Sequence, residues 1–272
     1  MKALEELRTE IDEIDSRLIV LLNDRARVAL EVGKVKERTG SPIFAPDREA
    51  RLLQALEAKN AGPLPTNFLR AVFREILSAS RGIEKMLTIA VDGLGTWLAA
   101  RDRFGACVRY VSFDTTRGVF DALGTGEADL GVVPIEAPNE NPSRSTVEAF
   151  LASKVGVCGQ IELRHAGAVT RFYVVGDIVT HPSLQDRTAM LVCLQDRPGA
   201  LISALEPFSA AGINLHRVNS SSVACSGSGG DWFFVEVEVH REDAAFVSCL
   251  SKLRSHCVDV RVLGSFARER AG

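Results

Sequence analysis

A single arginine interrupts a long apolar stripe near the start of the chain. Apolar side chains recur there at alternating spacings of three and four, a pattern typical of a long helix that packs against other helices. The series consists of Leu4, Leu7, Ile11, Ile14, Leu18, Leu21, Val28, Val32 and Val35. Arg25 occupies one position of this stripe, where a buried guanidinium is costly unless an anion meets it. Arg8 and Lys36 lie beside the same stripe, so we expect this helix to bind a small anion on its packing face.

Three helices are predicted in the first third of the chain, over residues 3–37, 46–59 and 66–86. The first would be roughly 50 Å long at 1.5 Å per residue. Gly40 and Pro42 are typical of its end. The apolar face of the third helix continues into Ser80, and Glu84 lies one turn beyond it. Polar groups thus follow the apolar faces of both long helices.

The pattern changes at Leu87. Strand-like and helical runs alternate from there to about residue 153, which indicates a parallel-type α/β unit, and two more strand-like runs follow. Residues 176–187 are predicted to form a linker. From Thr188 onwards the order is strand, helix, strand, strand, helix, strand, which is that of the ferredoxin-like split unit. The sequence therefore predicts a multidomain chain with an all-α, an α/β and a ferredoxin-like α+β part.

Composition excludes several classes of function. The net charge of −3 gives no basic footprint for nucleic acid, and no apolar run approaches the ~20 residues that span a membrane. The N-terminus is acidic and has no signal-peptide pattern. Six cysteines lie far apart without a C-x-x-C pair: Cys107, Cys158, Cys193, Cys225, Cys249 and Cys257. We expect reduced thiols packed in the core, no metal site and a cytoplasmic protein.

Four short motifs bring charged residues into register across the three helices. They are Leu7-Arg8, R-x-x-V-A-x-x-V-G-x-x-K from Arg25 to Lys36, P-x-R-E from Pro46 to Glu49, and S-A-S-R from Ser78 to Arg81. Together they resemble the all-helical chorismate mutase family, over about residues 3–86. That family rearranges chorismate to prephenate without a metal or cofactor, so we expect none here.

The resemblance implies a role for each charged residue. It assigns catalytic roles to Arg25, Lys36, Glu49 and Glu84. It assigns substrate-binding roles to Arg8, Arg48 and Ser80. Lys36 and Glu84 would contact the ether oxygen of chorismate, and Arg8 would reach in from the partner in a homodimer. Because an ionised carboxylate would repel the charge that develops on the ether oxygen, we expect Glu84 to act in its protonated form.

Each of these residues also has an ordinary structural interpretation. Arg25 fits a coiled-coil position paired with a glutamate, Arg8 and Lys36 fit solvated flanks, and Ser80 fits helix packing. Their joint register across three helices favours the chorismate site over these separate interpretations.

Motifs in the rest of the chain resemble two further families. G-E-A-D-L-G-V-V-P-I-E (126–136), G-Q-I-E-L (159–163) and T-R-F (170–172) resemble prephenate dehydratase. D-R-P-G-A-L (196–201) and G-I-N-L (212–215) resemble a dehydratase-type ACT domain. The order of all three parts is that of the bifunctional chorismate mutase–prephenate dehydratases. The implied domains are a helical mutase domain (1–86), a dehydratase-like α/β lobe (87–178) and an ACT-like regulatory domain (187–268).

The dehydratase-like part is shorter than the family pattern. The family has two α/β lobes with the active site between them, whereas only a few residues here separate the motif before the second lobe from the motif after it. Thr170 matches the family's catalytic threonine but would face no opposing lobe. We therefore expect a truncated lobe in which Thr170 is a relic without dehydratase activity.

The ACT-like part would hold an amino-acid effector. By the resemblance, the effector-binding positions are Gly199, Ala200, Leu201, Asn214 and Leu215. The family's E-S-R-P motif is replaced by Asn-Ser-Ser-Ser at 219–222, so phenylalanine is not the expected effector.

Three functional hypotheses follow. The first is a dimeric chorismate mutase of aromatic amino acid biosynthesis with an inactive dehydratase remnant. The second is a bifunctional enzyme that also makes phenylpyruvate. The third is a non-enzymatic, ACT-based regulatory partner of a shikimate-pathway enzyme.

Overall fold

The computed structural model describes residues 2–136, 143–165, 168–183, 185–225 and 229–268. Within these ranges the predicted fold class is confirmed: a helical part is followed by a lobe with a mixed sheet and by an α+β part with an antiparallel sheet. Among the described residues, none of the helices is long and apolar enough to cross a membrane.

The N-terminal part consists of α1 (Leu4–Thr39), α2 (Pro46–Lys59) and α3 (Thr66–Glu84). Helix α1 ends at Gly40, whose φ of 67° is the left-handed conformation that glycine adopts without steric cost. Ala29 and Gly33 are the buried residues of α1. A Cβ added at Gly33 would lie 3.1 Å from the Cα of Glu84, so this glycine allows α1 and α3 to pack closely.

The first half of α1 projects from the rest of the fold. Every residue from 2 to 24 is exposed, including the apolar stripe up to Leu21. Leu4 and Leu21 are more than 60% exposed. Val28 and Val35, in the second half of the predicted stripe, are exposed as well. The stripe is therefore present on the helix, but within one chain α1 buries Ala29 and Gly33 instead of most members of the stripe.

The middle part is an α/β lobe built on a five-stranded sheet. Its elements are β1 (Thr88–Val91), α4 (Leu94–Phe104), β2 (Arg109–Ser112), α5 (Thr116–Thr125), β3 (Leu130–Pro134), α6 (Arg144–Ala152), β4 (Gly156–His165) and β5 (Ala168–Gly176). The strand order is β2-β1-β3-β5-β4. Strands β2, β1 and β3 are parallel, as the alternating pattern predicted. Strands β5 and β4 are antiparallel, because strands this close in sequence cannot form a parallel crossover.

The C-terminal part has the predicted ferredoxin-like order. Its elements are β6 (Asp186–Leu194), α7 (Ala200–Ala210), β7 (Leu215–Ala224), β8 (Asp231–Val237), α8 (Ala244–His256) and β9 (Asp259–Ala267). The strand order is β7-β8-β6-β9, and every pair is antiparallel. Met190 and Val192 on β6 face α7 and α8, where they pack with Phe208 and Phe246.

The other face of this sheet packs directly on the lobe. Leu191 and Phe234 share one hydrophobic core with Phe150 and Tyr173 of the lobe. In the connection between the two parts, Thr180 is buried and donates a hydrogen bond of 2.6 Å to the carbonyl oxygen of Ser265. The lobe and the ACT-like part are therefore joined by a continuous core rather than by a chain segment alone.

The expectation of six reduced thiols is wrong for two cysteines. Cys193 at the end of β6 and Cys225 just after β7 form a disulfide, with their Cα atoms 6.0 Å apart. Thirty-two positions separate them in the sequence, so spacing gave no sign of the pairing. Folding of the sheet brings them together. Cys158 and Cys249 are buried free thiols, as predicted, while Cys107 is exposed.

Candidate functional site

Arg25 and Ser80 meet where α1 crosses α3. The Nη1 atom of Arg25 donates a hydrogen bond to the Oγ atom of Ser80. The Ser80 hydroxyl in turn donates to the carbonyl oxygen of Ile76, 2.8 Å away. This fixed hydroxyl orients one end of the guanidinium, and Nη1 also donates to the Ile76 carbonyl oxygen at 3.5 Å. A guanidinium carries five N–H groups, so those on Nε and Nη2 remain for a ligand once these contacts within the described residues are made.

Lys36 and Glu84 form the second pair of the same crossing. Lys36 Nζ lies 2.7 Å from Glu84 Oε2 and donates a second hydrogen bond of 3.0 Å to the carbonyl oxygen of Ile43. Both side chains are largely buried. An ammonium group has three N–H donors, so one remains for a ligand once the contacts within the described residues are made.

The Arg25–Ser80 pair and the Lys36–Glu84 pair also interact electrostatically. Burial lowers the pKa of Arg25 from its ordinary value, and the negative charge of Glu84 acts in the opposite direction. Arginine nevertheless stays protonated at any pH at which the fold survives. Two cations and one carboxylate are therefore concentrated at one partly buried helix crossing, which suits a ligand with more than one carboxylate.

Arg8 and Arg48 lie outside this cluster within one chain. Arg8 is exposed on the projecting half of α1 and pairs with Glu5 at 2.7 Å. Arg48 is exposed in the first turn of α2.

Glu49 is buried against the α/β lobe. Its carboxylate contacts Arg81 of α3 and, at 3.2 Å, Arg103 of α4. Arg81 also donates to the carbonyl oxygen of Phe104, 2.9 Å away. The structure therefore surrounds Glu49 with two guanidiniums rather than placing it beside Lys36. Sequence reasoning missed Arg103, whose only signal was an Arg-Asp-Arg run in a predicted helix.

Thr170 lies on the hairpin of β4 and β5, beyond the part of β5 that pairs with β3. It is exposed and opposite Leu163, while β3 pairs with β5 only from Phe172 onwards. No second lobe faces it within the described residues.

The five effector positions fall at opposite ends of α7. Gly199, with φ of 79°, precedes the helix, and Ala200 and Leu201 form its first turn. Asn214 and Leu215 follow the other end, about 16 Å away for an eleven-residue helix. Asn214 donates a hydrogen bond of 2.8 Å to Glu238. One chain does not bring the two motifs together.

A buried polar network crosses from the lobe to the ACT-like sheet. Glu236 is fully buried and accepts a hydrogen bond from the hydroxyl of Tyr173. Burial and the neighbouring carboxylate raise the pKa of Tyr173 well above its ordinary value, so the phenol remains a donor. Arg217 links Glu236 to Glu136 of the lobe, at 3.8 and 3.1 Å. Sequence reasoning missed this network. Its only signal was Glu236, which lies two residues after Phe234 and therefore on the same face of β8.

Two family models match this chain. Residues 7–85 match type II chorismate mutase, and residues 188–255 match the ACT domain. The fold and the charged crossing of α1 and α3 thus define a protein with a mutase-type helical domain, an α/β lobe and an ACT domain.

Relatives that match nearly the whole chain are of the bifunctional type. The chain is 28% identical over 359 aligned residues to the bifunctional chorismate mutase/prephenate dehydratase of Aquifex aeolicus, covering 98% of this chain and 99% of that protein. Over nearly its whole length this chain therefore resembles the bifunctional chorismate mutase/prephenate dehydratases. The alignment is far longer than the 272 residues of the chain, so a large stretch of the relative has no counterpart here.

Two solved structures resemble about two thirds of the chain. Prephenate dehydratase from Streptococcus mutans superposes with a TM-score of 0.55 at 25% identity, covering 68% of this chain and 100% of that chain. GqqA, a quorum quenching acylase, gives a TM-score of 0.57 at 25% identity over 67% of this chain and 95% of that chain.

Proposed function

We propose that this protein is a chorismate mutase that converts chorismate to prephenate in aromatic amino acid biosynthesis. The observation that carries this proposal is the convergence of Arg25, Ser80, Lys36 and Glu84 at the crossing of α1 and α3. The match of residues 7–85 to type II chorismate mutases supports the same reaction.

The reaction needs positioning and electrostatic stabilisation rather than a nucleophile. The ether C–O bond of chorismate breaks while a C–C bond forms within the same molecule, and no proton or electron pair passes to the protein. The site must hold a flexible dicarboxylate in a compact conformation. Arg25 does this through its free N–H groups, which bind one carboxylate in a bidentate manner, and the Ser80 hydroxyl keeps the guanidinium in place.

Lys36 stabilises the charge that develops on the ether oxygen. Its ammonium group is held by Glu84 and by the Ile43 carbonyl, which leaves the third N–H to point at the substrate. Glu84 therefore acts on the substrate through Lys36, whose ammonium group it positions at 2.7 Å.

A second copy of the chain completes the site. The exposed stripe of α1 from Leu4 to Leu21 needs an apolar partner, and the same stripe of a second copy has matching spacing. In a homodimer of this kind Arg8 leaves its weak surface pair with Glu5 and binds the second carboxylate at the helix crossing of the partner.

The dehydratase-like lobe has a structural role in this proposal. Thr170 is exposed on a hairpin, and a substrate there would meet no second wall within the described residues. One face of the lobe instead supports the ACT-like sheet through a shared core. An amino-acid effector at Gly199–Leu201 and Asn214–Leu215 would bind between two copies, because one chain holds these motifs apart.

Incubation of the purified chain with chorismate, with prephenate and phenylpyruvate quantified separately, tests the proposal. We expect prephenate to accumulate without phenylpyruvate. Formation of both products would instead support the bifunctional hypothesis, and formation of neither would support a regulatory protein. Added prephenate serves as the control, since an active dehydratase would consume it directly.

A further inference from the structure

A cavity of about 420 Å³ lies where the three parts of the chain meet. Helices α2 and α3 form one wall, α4 and β4 form another, and the end of β9 closes it. Its residues on α3, such as Ala71 and Arg81, lie on a different face from Ser80 and Glu84. The cavity is therefore separate from the crossing that holds Arg25, Ser80, Lys36 and Glu84, although Glu49, to which the resemblance assigns a mutase role, lines it. Its volume is in the size range of small-molecule sites.

The lining of this junction cavity is rich in arginine. Four carboxylates line it: Asp47, Glu49, Glu57 and Asp102. Six guanidiniums line it: Arg51, Arg70, Arg74, Arg81, Arg103 and Arg268. Each carboxylate is already paired with one or two of these arginines. Arg74 and Arg268 also lie 3.9 Å from Glu75 and Glu238, so the arginines offer an anion hydrogen-bond donors rather than an unbalanced charge.

Three buried donors in the lining have no hydrogen-bond acceptor among the described residues: the Nε atoms of Arg74 and Arg81 and the Nε2 atom of Gln160. The Arg74 atom still lies 3.9 Å from Glu75, which leaves Arg81 Nε and Gln160 Nε2 as the two donors for a ligand. Arg81 is 3% exposed and Gln160 is 6% exposed, so water reaches neither side chain freely. The amide orientation of Gln160 is fixed by Arg187, which donates to its Oε1 atom at 3.5 Å. Buried polar groups are rarely left unpaired, because each one costs free energy.

The remaining lining is apolar and includes Leu53, Leu77 and Ile161. This surface would pack against hydrocarbon, while the two donors and the arginines would bind oxygen atoms. We propose that the junction cavity binds a small organic carboxylate with an apolar body. The anion would accept hydrogen bonds from Arg81 and Gln160, and the ligand would contact all three parts of the chain at once. The inference is independent of the proposed mutase reaction.

Calorimetric titration of the full chain with 3-phenylpropionate tests this site. The neutral amide of the same acid is the matched ligand, since it keeps the apolar body and removes the charge. We expect the carboxylate to bind and the amide to bind at least about tenfold more weakly. No binding of the carboxylate, or equal binding of the two, would overturn the proposal.

Two variants locate the binding. Ala71→Trp places a bulky ring in the cavity, and Ala55→Trp makes the same change at an exposed helical alanine outside the lining. We expect Ala71→Trp and Gln160→Leu each to weaken binding by about tenfold or more, and Ala55→Trp to leave it unchanged. Arg25→Ala removes the mutase anchor and should also leave binding unchanged. Loss of binding in Arg25→Ala with retention in Ala71→Trp would place the carboxylate at the crossing of α1 and α3 and contradict the proposal.

Discussion

The helical part and the α/β lobe both carry residues that resemble an enzyme's, but they differ in what surrounds those residues. Arg25, Lys36 and Glu84 sit in a partly buried crossing where each side chain is held by a neighbour. Thr170 is exposed near the tip of the β4–β5 hairpin, beyond the residues of β5 that pair with β3. A residue that matches a catalytic residue of a known family therefore indicates catalysis only where the fold also fixes its orientation and excludes water.

Arg25→Ala should produce the largest change. It removes the carboxylate anchor at the centre of the cluster, and we expect kcat/KM for chorismate to fall by about 10²- to 10³-fold or more. Arg27→Ala is the matched control, because Arg27 lies on the same helix in an exposed pair with Asp24. Unaltered turnover in Arg25→Ala would remove the basis of the site assignment.

Glu49→Ala tests the contact between the two regions. The change leaves Arg81 and Arg103 as buried cations without their shared carboxylate, which typically costs about 3–5 kcal/mol. We expect a clear fall in the thermal unfolding midpoint. Glu31→Ala removes an exposed pair with Lys34 and should change the midpoint little. Equal midpoints for the two variants would show that the helical part and the lobe are not joined through Glu49.

Glu84→Gln tests the role of the Glu84 side chain within the cluster. The Glu84 carboxylate holds the Lys36 ammonium at 2.7 Å, but it also places a negative charge beside the oxygen on which charge develops. Glutamine keeps a hydrogen-bonding group at this position and removes the charge, so we expect kcat/KM for chorismate at neutral pH to equal or exceed that of the parent protein. A fall of about tenfold or more would show that the charge of Glu84 is needed to hold Lys36.

Thr170→Ala should produce the smallest change. The hydroxyl is exposed, so its removal should leave prephenate formation unaltered and stability within about 0.5 kcal/mol. Phenylpyruvate formation that disappears in this variant would show that the lobe retains a working catalyst.

Local patterns in the sequence predicted the elements well. The three-and-four spacing of α1 and the strand-helix order of the C-terminal part both match the structure, because each element is encoded by its own periodicity. The parallel strands of the lobe were predicted for the same reason, whereas the antiparallel hairpin of β4 and β5 depends on how the chain turns between them.

Contacts between distant residues were not predictable in the same way. The Cys193–Cys225 disulfide and the pairing of Glu49 with Arg103 depend on tertiary packing, which leaves no local signature. The shared core of Phe150, Tyr173 and Phe234 is likewise set by how two sheets meet. The proximity of Arg25 to Ser80 could be anticipated only because the motifs of three helices resembled one family.

The claim that the mutase site joins the helix crossing of one chain to Arg8 of another is tested most directly by mixing two inactive variants. Arg8→Ala and Arg25→Ala should each be nearly inactive alone. After unfolding and refolding together in equal amounts, half of the dimers are mixed and each holds one intact site, so we expect about a quarter of the parent activity. Activity no greater than that of the separate variants would contradict a site shared between two copies.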